Sequence, residues 1–78
     1  MRKIKMIWEF RGPNAGLTAQ HHEIHLKEYL QKENIDFHFT ECKAISEFAS
    51  ETWLVVNEDH MAGIRAVLKP HRGQIFQE

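Results

Sequence analysis

The sequence predicts an α+β fold: a ferredoxin-like βαββαβ plait, with a four-stranded antiparallel sheet and both helices on one face. Three observations carry that prediction. Strand-like alternation and helix-like periodicity follow one another in the order β-α-β-β-α-β, the links between them are short, and 78 residues supply one core. With short links and right-handed crossovers, the split βαβ arrangement is the economical way to join such elements. Residues 1–78 are accordingly read as a single domain.

From Lys3 to Phe10 the chain alternates, with Ile4, Met6, Trp8 and Phe10 on one face and Lys3, Lys5, Ile7 and Glu9 on the other. That is the period of a half-buried strand. Arg11-Gly12-Pro13-Asn14 punctuates it, and Asn14 is suited to cap the helix that follows, predicted to run to about Glu33. Ala15, Ala19, His22, Leu26, Tyr29 and Leu30 cluster on its core-facing side, while Leu17 and Ile24 fall nearly opposite, as scattered exposed residues or as contacts with another chain. Asn34 reads as the helix stop. Ile35 to Cys42 alternates again as a second strand.

The stretch 43–51, KAISEFASE, leaves its conformation open, a long hairpin connection holding a helical turn being one solution. Thr52 to Val56 is a β-branched and aromatic run, fit for a third strand. Asn57 or Asp59 can cap a second helix that brings Met61, Ile64 and Leu68 together and ends before Pro70. Gly73 to Gln77 supplies the last strand.

Composition narrows the function classes. Hydrophobic residues at 42% and charged residues at 27% are globular proportions, which exclude a wholly disordered chain. A net charge of −1 lacks the footprint of a general nucleic-acid binder, so no nucleic-acid partner is expected. No segment has the length of a membrane span or of an export signal, and Cys42 is the only cysteine, so neither membrane nor disulfide framework is expected and the cytoplasm is the predicted location. There is no dinucleotide glycine pattern, phosphate loop or nucleophile elbow, and no cofactor is expected.

In a plait the end of the first strand, the hairpin and the link from second helix to last strand share one edge of the sheet. Arg11, Lys69, His71 and Arg72 would then form a basic rim beside the first helix N-terminus, able to bind a small anionic metabolite. The plain alternative is that Lys69, His71 and Arg72 complement a helix C-terminus and that Glu41, Glu47 and Glu51 neutralise the rim.

The chain has six histidines, three of them in His21-His22-Glu23-Ile24-His25. His21 and His25 lie one helical turn apart with Glu28 next on that face, a spacing that could present two imidazoles and a carboxylate to a metal ion. The order of residues is not the metalloprotease signature, and a solvated helix face explains the same pattern. Cys42 is expected to be a structural thiol, since no base is placed beside it. The uncovered face of the sheet, with Trp53 or Leu54, Ile7, His38 and Phe76 as candidates, invites either base stacking or a second sheet. The basic, glycine-containing aromatic motif of a stacking strand is missing from Thr52–Asn57, so a homodimer is the expected use. A core this small also gains stability from association.

The His25-Leu26 pair with Leu30, inside a small plait, resembles the YciI-like and monooxygenase-like dimeric α/β-barrel proteins. That resemblance implies a small enzyme with His22 or His25 as acid or base. The histidine–aspartate pairing of the YciI-like group has no counterpart here, where Asp36 and Asp59 are the only aspartates. Acylphosphatases share the plait, but Arg11–Gly16 does not match their glycine-rich loop. The expectation from sequence is therefore a cytoplasmic, homodimeric binding or regulatory module, more module than enzyme. A small enzyme using a helix-one histidine and a metal-binding protein are the alternatives.

Overall fold

The structure is a computed structural model, and it describes residues 2–77. It is α+β, with a four-stranded antiparallel sheet and two α-helices. In chain order these are β1 (Lys3–Arg11), α1 (Ala15–Lys32), β2 (Phe39–Ser46), β3 (Ala49–Asn57), α2 (Met61–Leu68, preceded by a 3-10 turn at Glu58–His60) and β4 (Arg72–Phe76). The strands lie in the order β2-β3-β1-β4, which puts β1 and β3 at the centre. The accessible surface is 5260 Å², close to the ~5,000 Å² that size scaling gives for a compact chain of this mass.

Alternation in β1 and β3 divides the sheet into two faces. Register pairs Ile4 with Val56, Met6 with Leu54 and Trp8 with Thr52. These even-numbered residues meet Leu26 and Leu30 of α1 and Ile64 of α2 in one core cluster. Leu54 thus belongs to the core, while Ile7, Trp53 and Phe76 lie on the face away from the helices. His38 precedes β2, and its Nε2 hydrogen-bonds Asn57 Oδ1 at 2.7 Å.

The helix α1 ends where the sequence says. Asn34 takes φ 55°, its amide bonds Gln31 O at 3.2 Å, and the amide of Ile35 bonds Leu30 O at 2.9 Å, which is the paired closure of a Schellman motif with asparagine in the left-handed position. At its other end, Asn14 precedes the helix without a side-chain cap; the hydroxyl of Thr18 instead donates back to Asn14 O. Ala15, Ala19, Leu26 and Leu30 are buried, His22 and Tyr29 half-buried, and Leu17 and Ile24 are 60% and 55% exposed.

One expectation is corrected, and one open stretch is resolved. The second strand starts at Phe39, not Ile35, and residues 35–37 pack Ile35 and Phe37 against the core from an irregular segment. The stretch 43–51 holds no helical turn: β2 runs on to Ser46, Glu47 and Phe48 make the turn, and β3 begins at Ala49, with a bulge between Ala44 and Ser46. That extension puts Lys43 in the ladder opposite Glu51.

No helix among the described residues is long and apolar enough to cross a membrane.

Candidate functional site

The two helices differ in length, 18 residues against eight, and a groove lies beside the shorter one. The β4 residues Arg72 to Ile75 are exposed. Gly73 and Ile75 of β4 stand opposite Met6 and Ile4 of β1, and because Gly73 has no side chain, a groove of about 390 Å³ opens between α2 and β4. Its floor is Ile4, Met6, Met61 and Ile75, and Arg65 and His71 border it. Ile75 is 51% exposed.

The link from α2 to β4 is held firmly. Trp8 Nε1 donates to Leu68 O at 2.8 Å, satisfying a terminal carbonyl of the helix. Lys69 adopts the left-handed conformation at φ 47°, its amide bonds Arg65 O, and Pro70 follows. The amide of His71 then bonds Ile7 O at 2.9 Å, and its ring nitrogen Nδ1 accepts the amide of Glu9 at 2.6 Å.

Of the four rim residues expected from sequence, His71 and Arg72 border the groove and Arg11 and Lys69 do not. Arg72 points its guanidinium to the other face of the sheet, where Nη2 bonds Glu51 at 2.9 Å and Nε lies 3.7 Å from Glu9. Glu51 is nearly buried and also accepts Trp53 Nε1 at 2.8 Å, so Arg72 balances a carboxylate that the sheet has largely desolvated. Arg11 is exposed beside Ala49 with no ion pair among the described residues, and Lys69 is exposed at its turn. Arg65 was not foreseen. It is exposed on α2, and among the described residues it has no ion-pair partner.

A second constellation surrounds His22. Its ring lies 4.9 Å from that of Trp8 and 5.5 Å from that of Phe10, and its Nε2 is buried without a hydrogen-bond partner. Burial, with His25 and His71 as nearby like charges, holds its pKa below the usual histidine value. His21, His25 and Glu28 remain exposed on α1, and no group of three or more His, Cys, Asp or Glu among the described residues can hold a metal ion.

The third constellation lies between α1 and β2. Glu23 accepts Thr40 Oγ1 at 2.6 Å and the Cys42 thiol at 3.3 Å, with Lys27 at 3.8 Å, and these contacts, the threonine bond first, hold its pKa low despite partial burial. Thr52 Oγ1 donates to Ala19 O at 2.8 Å, and the Cys42 sulfur lies 3.2 Å from the same carbonyl. Burial and the neighbouring carboxylate push the Cys42 thiol up to about 11, so it stays protonated near neutral pH and acts as a donor, not a nucleophile.

On the helix-free face, Lys5 Nζ sits 4.0 Å from the Trp53 ring and Lys43 Nζ 5.3 Å from it, and Phe39 meets Phe76 edge to face at 5.5 Å. Beneath them Ile7 and Val55 are 1% and 0% exposed. The chain's own side chains therefore roof this face, and it offers no bare aromatic platform.

Compared with protein families, curated proteins and solved structures, the chain matches none of the three.

Proposed function

We propose that the chain is a small binding module that takes a small anionic ligand in the groove between α2 and β4. The observation that carries this reading is the groove itself: about 390 Å³, within the range of small-molecule sites, apolar at its floor and bordered by Arg65 and His71. The frame is the ferredoxin-like plait. The βαββαβ order supports it, as does a sheet that runs β4-β1-β3-β2 when read from the β4 edge.

The module is a homodimer in this reading. A core of this size gains from association, and Leu17, Ile24, Ile45, Phe48, Val67 and Ile75 are exposed large apolar residues spread over several elements. The lone cysteine suits a reducing compartment, the cytoplasm.

A second reading, a small enzyme with His22 as base, has one observation in its favour. The ring is biased to its neutral form and its Nε2 has no partner. His22 does not line the groove, so the binding reading leads.

Native mass spectrometry of the untagged protein, paired with an NMR titration of carboxylates and phosphate, tests the proposal. A dimer that retains a small anion, or whose Gly73 and Ile75 amides shift saturably with one of them, is the expected result. A bare monomer indifferent to all of these anions overturns it.

A further inference from the structure

Resting on the binding reading, we infer that the ligand class of the α2–β4 groove is an amphipathic monoanion, with a short apolar body and one carboxylate or sulfonate head. The argument starts from the available charges. Arg72 is engaged by Glu51 at 2.9 Å and Glu9 at 3.7 Å on the opposite face of the sheet. The Nδ1 of His71 is occupied by the Glu9 amide. Arg65 is left as the groove's one strong cation without an ion pair among the described residues. One guanidinium matches one carboxylate or sulfonate, gripped by its two parallel N–H groups. A diphosphate or triphosphate would bring several charges to a site with one cation to meet them.

The rest of the groove selects for carbon. Met61 and Ile75 present thioether and aliphatic surface beside the buried Ile4 and Met6, and Met61 adapts to an irregular apolar shape. Over Gly73 the floor is open: a Cβ there would meet its nearest atoms, Lys5 O and Ile4 Cγ2, at 3.8 and 3.9 Å, an ordinary contact distance. A side chain at 73 would therefore occupy groove volume without disturbing the strand, which gives a means of filling the site while keeping the fold. Head and body requirements sit side by side, because Met61 and Arg65, four residues apart on α2, both line the groove.

The experiment is a ¹⁵N-NMR titration of the full chain with octanoate, inorganic phosphate and octanol, repeated on Arg65→Met and Gly73→Val. Octanoate is expected to shift the Gly73, Gln74 and Ile75 amides saturably, one per chain, at concentrations where phosphate does not. Arg65→Met should weaken octanoate about tenfold, as the loss of one charge-assisted contact does, and leave octanol unchanged. Gly73→Val should abolish both while its spectrum stays dispersed.

Phosphate binding as well as octanoate would overturn the amphipathic assignment and leave the anion site standing. Silence toward all three probes would remove both readings. Groove shifts that grow with protein concentration in the absence of any probe would assign the groove to a second copy of the chain and overturn the ligand inference.

Discussion

The main-chain amide of Glu9 donates to Nδ1 of His71 across 2.6 Å, joining residues 62 apart in sequence. Its position explains it: the β1–β4 ladder reaches only as far as Ile7 opposite Arg72, so beyond that point β1 has no strand to pair with on that side. The histidine ring takes over as acceptor for the next amide. His71→Ala removes that acceptor at an exposed site and should cost about 0.5–1.5 kcal/mol, read as a lower urea midpoint with an unchanged m-value.

His22 makes stability depend on pH in one direction. An unfolded-chain histidine titrates near 6.5, and the folded value lies lower because the ring is partly buried. Above 6.5 both states are neutral and the ring is without effect. As pH falls below 6.5 the unfolded chain takes up the proton before the folded one does, so stability declines through that window. Melting temperature followed from pH 7.5 to 5 should fall, and His22→Leu should flatten part of that fall. An equal decline in the variant would assign the dependence elsewhere. Glu23, whose pKa is lowered, acts in a separate window, its contribution being lost only below about 4.5.

Cys42 should alkylate slowly. With its thiol pushed up to about 11, the thiolate fraction near neutral pH is small, and iodoacetamide should modify the native protein far more slowly than the urea-unfolded one. Glu23→Gln removes the carboxylate that accepts the thiol proton, and modification should then accelerate several-fold.

Arg72 is the partner of a nearly buried Glu51. Arg72→Met strands that carboxylate and should destabilise by about 1–2 kcal/mol, discounted from the full buried-pair value because the arginine is half exposed. Adding Glu51→Gln to the same chain should recover part of the loss in chemical denaturation.

Lys69 holds a left-handed conformation, φ 47°, between α2 and Pro70. A side chain there is strained and glycine is not, so Lys69→Gly should raise stability by about 0.5–1 kcal/mol. A drop in melting temperature would mean that the lysine chain makes a compensating contact.

What could be read in advance follows from how strongly each segment couples pattern to environment. β1 and α1 were legible because Ile4, Met6, Trp8, Leu26 and Leu30 all enter one core, and burial forces the period. The β2–β3 hairpin was obscured because its cross-strand partners are polar or small: Lys43 faces Glu51 and Ala44 faces Ser50. Its turn, Glu47-Phe48, also carries none of the glycine or asparagine that usually signals one. Ile35 and Phe37 mimic strand alternation because both reach the core, although the backbone between them makes no ladder.

The site divides the same way. His71 and Arg72 stand out by composition. Arg65 does not, since an arginine on an exposed helix face is ordinary, and the groove that gives it meaning opens over Gly73, which has no side chain.

Phe39 and Phe76 belong to the two outermost strands, which two further strands separate. In a flat sheet those edges would stand roughly 14 Å apart at the usual spacing, yet the ring centroids are 5.5 Å from each other. The two side chains therefore lean toward each other over β3 and β1, and one aromatic pair clasps the outer strands of the sheet. A clasp of that kind couples the opening of β2 to the opening of β4, although they share no hydrogen bond. Fraying at either edge should release both, and amide exchange in Phe76→Ala should quicken in β2 as well as in β4.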